Sequence, residues 1–560
     1  MIPVTIQQNG ELAVSRCTCG IGVSSSAQTL PPPAAPAPPA AQIAARGKGS
    51  YHEILKSSAL VGGSSVVNIG IGIVRTKAMA MLLGPAGFGL FGLYSSIAAL
   101  TQSVAGMGIN SSGVRQIAEA AGSGNKERIA QTAAVLRRTA IVLGLLGAGL
   151  LLVFSRQVSR LTFGGTDRAA AVALLSIAVF FTLVSGGQIA LIQGMRRIAD
   201  LAKMNVLGAF FGVCISIPLV YFFRQKGVVP SLIGVAAMSI LTSWWFSRKI
   251  EIEVPSVTLS QVRQEASALL KLGSAFMASG LLTLGVAYAV RITVLHKIGL
   301  EATGLYQSAW TLGGLYVAFI LQAMGADFYP RLTASIHNKD EANRLVNEQT
   351  LVGVLLAGPG VLATLTFAPL VIALLYSAKF GAAVGLLRWI CLGAMLQVIT
   401  WPMGFIIVAK GKSVVFFCAE LAWTIVAIGL AWSCIRLFGL DGAGIAFFGS
   451  YVFHGFLMYA IVRRLSGFRW SALNKQTGLL FLSSITVVFC GFYTVPLFVA
   501  SSLGVLATIL SVAYSARALL NLIPFEQLPR LLQVVLVRLH LADSTSRRAL
   551  AGHIAQGVSQ

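Results

Sequence analysis

The sequence predicts an all-α polytopic membrane protein with about fourteen transmembrane helices, forming two six-helix bundles related by a pseudo-twofold axis along the membrane normal, plus two extra C-terminal helices. Three observations carry this. Of 560 residues, 56% are hydrophobic and only 11% are charged, whereas soluble domains carry about 25% charged residues. The apolar residues gather in charge-free windows long enough for a helix to cross the hydrocarbon layer, which takes about 20 residues. The landmarks of the first half return in the second at a shift of about 215. A soluble enzyme of this size is excluded. So are strands: the windows are solid runs rather than alternations, and an open sheet leaves its edges unsatisfied in lipid.

Residues 1–50, with PPPAAPAPP at 31–39 and no apolar run fit for a signal-peptide core, read as a disordered cytoplasmic tail. Six windows then build the first bundle, 51–250: residues 57–74, 78–114, 139–155, 169–195, 204–223 and 227–247. A cytoplasmic linker at 251–271 leads to the second bundle, 272–465, with windows at 272–290, 302–326, 349–378, 389–409, 413–435 and 442–462. The last window, 476–516, has Pro496 in its middle and is long enough for the two extra spans, assigned to 466–523; a cytoplasmic tail, 524–560, follows. With the N-terminus inside, 30 of the 42 Lys and Arg fall in the tails and even-numbered loops and 12 in the odd-numbered loops and outer helix ends. The positive-inside rule therefore places both termini in the cytoplasm.

The repeat pairs Gly84 with Gly299, Gly89 with Gly304, Leu90 with Leu305, Gly227 with Gly442, and Arg248-Lys249 with Arg463-Arg464. Six spans per half is an even number, so both halves insert in the same orientation, an arrangement transporters use to form a central site. The net charge of +24 is then a topology signal. The basic residues lie between apolar runs and form no stripe for nucleic acid, which is excluded as a partner. Five of the seven cysteines sit singly in apolar runs, and Cys17 and Cys19 have no second pair to complete a metal site. No metal or cofactor is implied.

Polar residues inside the spans mark the candidate site, since charge is costly there. Asn68, Gly72 and Arg75 share one helical stripe, with Lys77 about 200° from Arg75 on the wheel. Arg291 occupies nearly the same depth in the second half. Two guanidiniums facing one cavity repel unless an anion joins them, and their planar donors match phosphate oxygens; the alternative is that both snorkel to the outer interface. Glu420 is the carboxylate deepest in a span and is a candidate for pairing with a lumen arginine or for taking up a coupling proton, or else a neutral acid bonded between helices. Gln188, Gln193, Gln322 and Gln397 suit sugar hydroxyls or helix-to-helix hydrogen bonds. Asp327 and Arg388, near helix ends, read as interfacial. No Walker sequence, zinc-binding His pair, GxSxG elbow or paired carboxylate occurs, so the chain reads as a transporter rather than an enzyme.

The segments LLGPAGFGLFGLY (82–94), MGIN followed by GVRQIAEA (from Met107), LTFGGTD (161–167), QGMRRIA (193–199), YSAKF (376–380) and VAKGKSVVFFCAE (408–420) resemble the Wzx-type flippases of O-antigen and lipid III, within the multidrug/oligosaccharidyl-lipid/polysaccharide exporter superfamily. The resemblance spans roughly 57–464. Many relatives have twelve spans; the extra pair is similar to that of the fourteen-span lipid II flippases, whose added helices line a groove for a lipid tail. The resemblance implies a flippase of the bacterial inner membrane that carries undecaprenyl-diphosphate-linked oligosaccharide outward by alternating access, for O-antigen, capsule or exopolysaccharide, with a polymerase and chain-length regulator as partners. On that reading Arg75 and Arg291 hold the diphosphate and the lumen holds the glycan; the substrate-binding candidates are Arg75, Arg291, Lys77, Asn68, Gln188 and Gln397, with Glu420 the candidate for coupling. The runner-up is a multidrug or cation antiporter of the same superfamily, which calls for lumen carboxylates. A twelve-span facilitator with two added helices lacks its acidic-basic signature here, and a scaffold needs no cavity.

Overall fold

The structure, a computed structural model, describes residues 40–250 and 259–522. Residues 1–39, 251–258 and 523–560 hold most of the expected N-terminal tail, the start of the linker and the C-terminal tail; they lie outside the described residues, as do Cys17 and Cys19. Among the described residues every regular element is a helix. The first half comprises α1 (Ala40–Gly106), α2 (Ile109–Gly122), α3 (Lys126–Val153), α4 (Ser155–Phe163), α5 (Ala169–Gly194), α6 (Ile198–Phe223) and α7 (Val228–Ser247). The second comprises α8 (Leu259–Lys297), α9 (Leu300–Ser335), α10 (Lys339–Thr366), α11 (Ala368–Leu375), α12 (Ala383–Ala409), α13 (Ser413–Phe438) and α14 (Asp441–Ser466); α15 (Ala472–Thr494) and α16 (Leu497–Leu522) follow.

Among the described residues, ten segments are long and apolar enough to cross a membrane by length and composition. Two of these, Gly63–Gly106 and Ile198–Ser247, are double spans, turning at Gly84 and at the short turn Arg224–Gly227. With α8 and α9 they account for the fourteen crossings read from the windows. Two windows end differently from their reading. The second breaks at Met107 and Gly108, both at positive φ, and its last residues begin the separate short helix α2. The ninth splits at Phe367 into α10 and α11.

The backbone repeats as the sequence does. Gly84 (φ 65°, ψ −178°) and Gly299 (φ 120°, ψ −178°) make the first turn of each half. Asn125 and Asn338 cap α3 and α10 in the same way, each side chain accepting from the backbone N–H groups two and three residues on, which satisfies donors that a helix start leaves free. Arg224 (φ 51°, ψ −130°) and Gly439 (φ 59°, ψ −135°) also correspond, as do Arg196 (φ 54°) and Gly411 (φ 69°). The first half thus holds arginine in the left-handed region, at about 1–2 kcal/mol each, where the second half uses glycine.

The halves meet where their repeats cross. A Cβ on Gly89 would lie 2.6 Å from the Leu300 carbonyl oxygen, and one on Gly304 would collide with that of Pro85. Beside this crossing Phe88 packs edge-on against Tyr376 and Phe380, all at most 2% exposed. At the end that the charge bias assigns to the outside, one apolar core therefore runs through both halves. At the inner end there are two cores, one around Leu332, Ile406 and Val462, the other around Ile117, Leu136 and Met204.

The final pair docks on the second half. Asn474 Nδ2 donates to the Asn347 carbonyl (2.7 Å) and to its Oδ1 (2.8 Å), and Phe489 meets Trp389 edge-on at 4.6 Å. Arg388 is corrected by this docking. It is not interfacial but 8% exposed, its guanidinium 3.6 Å from the ring centroid of Phe492, because α15 covers it. The side chains of Gln322 and Asp327 lie outside what the structure describes.

A test of the crossing is Gly304→Val. Overpacking a tight contact costs about 1–3 kcal/mol, so this variant is expected to melt several degrees lower in detergent, whereas Gly429→Ala, whose Cβ meets nothing within 4 Å, keeps the wild-type melting temperature.

Candidate functional site

A cavity of about 640 Å3 opens in the second half, between α8, α9, α12, α13 and α14. Its polar lining is Thr283, Arg291, Gln307, Thr311, Gln397 and Ser450, and its aromatic faces are Tyr306, Trp310, Trp423, Phe447 and Tyr451. From the first half, Ile69 reaches it. Small residues on the far walls, Ala394, Ala427 and Ala446 among them, leave the space.

Arg291 is the charge of this cavity and is 8% exposed. Its Nε donates to Gln307 Oε1 at 2.7 Å and its Nη1 to the Ala287 carbonyl at 2.8 Å, while the guanidinium stands 5.9 Å from the Tyr306 ring centroid. Gln307 is held in turn by its Nε2 donating to Thr311 Oγ1 at 3.1 Å. It is accommodated by Gly92, where a Cβ would lie 2.6 Å from the Gln307 side-chain oxygen. Each of these partners is neutral, and among the described residues no carboxylate lines the cavity. A charge oriented by dipoles in a low-dielectric site keeps a strong field for a ligand.

Arg75 is placed elsewhere. Its guanidinium stands 5.6 Å from the Phe91 ring centroid, and its Nε and Nη2 are shielded without a hydrogen-bond partner. Phe91 and Tyr306 are 215 apart, so the two arginines face repeat-related rings, yet they do not line one cavity. Asn68 precedes the cavity-lining Ile69, and its shielded Oδ1 has no partner; Lys77 is half-buried and away from the cavity. Of the glutamines, Gln397 lines the cavity. Gln188 does not, and its assignment to the glycan lumen is corrected: α5 carries it to a smaller pocket between α3, α5 and α7, where its Oε1 accepts from Ser243 Oγ.

Glu420 has a partner that sequence reasoning missed. Its Oε1 lies 3.5 Å from His454 Nε2, and His454 Nδ1 lies 3.4 Å from Thr400 Oγ1. The imidazole packs against Trp423 and Tyr451, both cavity residues that also touch each other. The signal was available: α13 and α14 form a hairpin at Gly439, and counting back and forward along it brings Glu420 and His454 to similar depth. The aromatic faces and Gln307 were also missed, since an aromatic in an apolar window reads as packing.

The comparisons with known proteins agree with this architecture. A family model described as polysaccharide biosynthesis protein matches residues 78–385. A lipid III flippase of Escherichia coli (strain K12) is 25% identical over 409 residues, covering 71% of this chain and 95% of that protein. Among solved structures, the lipid II flippase MurJ in an inward closed conformation superposes at TM-score 0.62 with 14% identity, covering 82% of this chain and 99% of that chain. An inward-facing multidrug resistance MATE family transporter of the MOP superfamily superposes at 0.61 with 15% identity, covering 72% of this chain and 99% of that chain. At these identities the two structures speak for the fold alone.

Gln307→Leu removes the acceptor of Arg291 Nε while keeping a similar volume. Leaving a buried charged donor unpaired costs about 1–3 kcal/mol, so the variant is expected to melt lower in detergent, and Gln307→Glu, which supplies an acceptor of opposite charge, to melt no lower than wild type.

Proposed function

The chain belongs to the polysaccharide biosynthesis protein family, and from that premise we propose that it flips a lipid-linked oligosaccharide, a glycan on undecaprenyl diphosphate, from the cytoplasmic to the periplasmic leaflet of a bacterial inner membrane. The observation that carries the proposal is Arg291: a buried guanidinium with only neutral partners, facing a cavity with aromatic walls. The lipid III flippase of Escherichia coli, 25% identical, supports the choice of substrate class.

The chemistry divides the substrate. Dragging a diphosphate and many hydroxyls through hydrocarbon costs several kcal/mol per unsatisfied polar group. Arg291 answers the diphosphate with charge-assisted hydrogen bonds. Trp310, Trp423 and Tyr451 offer flat apolar faces to sugar C–H groups, while Gln307, Gln397 and Thr311 take hydroxyls. Arg75, Lys77 and Asn68 belong to a second position of the headgroup, reached when the halves rock about the Gly89–Gly304 crossing. The prenyl chain stays in lipid along α15 and α16. With the cell interior negative, outward movement of about two negative charges is favoured by roughly 4–5 kcal/mol per 100 mV, and Glu420 with His454 is the proton-coupling pair. Both termini then lie in the cytoplasm, and the delivered glycan serves O-antigen, capsule or exopolysaccharide assembly by a polymerase and its chain-length regulator.

An antiporter of cationic drugs needs a carboxylate in the cavity, and none lines it. Surface polysaccharide decides between the readings. Arg291→Ala and Gln307→Glu are each expected to reduce export at least tenfold at normal protein level, since either loss of the charge or its neutralisation removes about 1.4 kcal/mol or more of headgroup binding. Full export in both variants would refute the proposal, and a changed drug sensitivity with intact export would favour the antiporter.

A further inference from the structure

The pocket that took Gln188 away from the glycan cavity has about 350 Å3 of space at the ends of α3, α5 and α7 that the charge bias places in the cytoplasm. Its polar lining consists of Arg137, Gln188, Ser247 and Arg248, and on its open side the exposed Arg137 and Arg248 stand beside two apolar side chains, Ile141 43% and Trp244 49% exposed. Arg248 is held over two rings, 4.8 Å from the centroid of Trp244 and 4.2 Å from that of Trp245. Ser243, buried at 0%, donates to Gln188 Oε1, which leaves the amide N–H groups of Gln188 as its free face. Ser247 Oγ is turned to the Trp244 carbonyl. Two guanidiniums and an amide thus offer donors to one pocket, and among the described residues neither arginine has a carboxylate partner.

The second half shows that the fold does not require this. Arg248 over Trp244 is repeated there by Arg463 over Tyr459. The counterparts of Gln188 and Arg137, however, are Met403 and Thr350, each 2% exposed and packed in the interior. The first half alone has exchanged packing residues for donors, and has kept a hollow in front of them.

We propose that this pocket binds the phosphate of a membrane lipid in the cytoplasmic leaflet, with Arg137, Arg248 and the Gln188 amide as its donors and the acyl or prenyl chain lying against Ile141 and Trp244. Arginine matches phosphate oxygens with parallel donors, and the half-exposed apolar rim suits a ligand that brings its own tail rather than a soluble anion. The lipid phosphate has two sources, an anionic phospholipid or the polyprenyl carrier of the transported glycan. The site stands apart from Arg291 and its occupancy does not depend on transport.

The test measures lipid retained by the purified full chain in detergent, by native mass spectrometry, during titration with phosphatidylglycerol or with undecaprenyl phosphate. Replacing both arginines by Gln (Arg137→Gln with Arg248→Gln) is expected to raise the half-saturating concentration of at least one of these lipids about tenfold or more, and Gln188→Met to raise it less. A difference confined to undecaprenyl phosphate assigns the pocket to the carrier; a difference with phosphatidylglycerol assigns it to bulk lipid. Equal retention of both lipids by wild type and the double variant overturns the proposal. Should the double variant fail to fold, Gln188→Met decides, and wild-type retention of both lipids by that variant has the same force.

Discussion

A guanidinium at membrane depth, satisfied by an amide oxygen and a backbone carbonyl but neutralised by nothing, is the constraint from which the second half is organised. Bilayer interiors tolerate such a group only inside a protein cavity with oriented dipoles. That requirement explains Gln307 and its support by Thr311, and the glycine at 92 that lets another helix pass so close to the glutamine. It also explains why large side chains withdraw from the opposite walls, where alanines recur on three helices. The hollow and the charge are one feature.

Symmetry supplies the scaffold, and departures from it supply the chemistry. Turn glycines, asparagine caps and helix breaks return at nearly constant spacing, so both halves share one set of folding instructions. Against that background Phe91 answers Tyr306, but Gly92 answers Gln307, and the cavity with its arginine lies in the second half. Likewise Met403 fills the space that in the first half stands open before Gln188. A repeat can be read as an internal control: where the halves agree, structure suffices as a reason, and where they differ something else must be given.

Span number, helical class and the repeat were legible because each rests on a long stretch of chain, over which apolar content and glycine placement add up. Counting back from the turns at Gly84 and Gly299 sets Arg75 and Arg291 at nearly equal spacing, nine and eight residues away. Facing was not legible. Whether an arginine at a given depth looks into a hollow or onto a neighbouring ring is decided by helices distant in sequence, and Arg75 met Phe91 where Arg291 met a cavity. Arg388 near a helix end reads as interfacial until α15 is laid over it. His454 escaped because an isolated histidine in an apolar window carries no pattern; its meaning comes from the carboxylate on the adjoining helix.

The shared outer core has a thermodynamic consequence. Parting the halves at that end would strip Phe88 from Tyr376 and Phe380 and wet surfaces that aromatic rings cover at about 150–250 Å2 apiece, a cost of several kcal/mol at about 25 cal/mol per Å2. The inner end, with its cores already divided, asks for no comparable sacrifice. Separating the halves therefore costs more at the end where Phe88, Tyr376 and Phe380 lock them together than at the end where the cores are already divided.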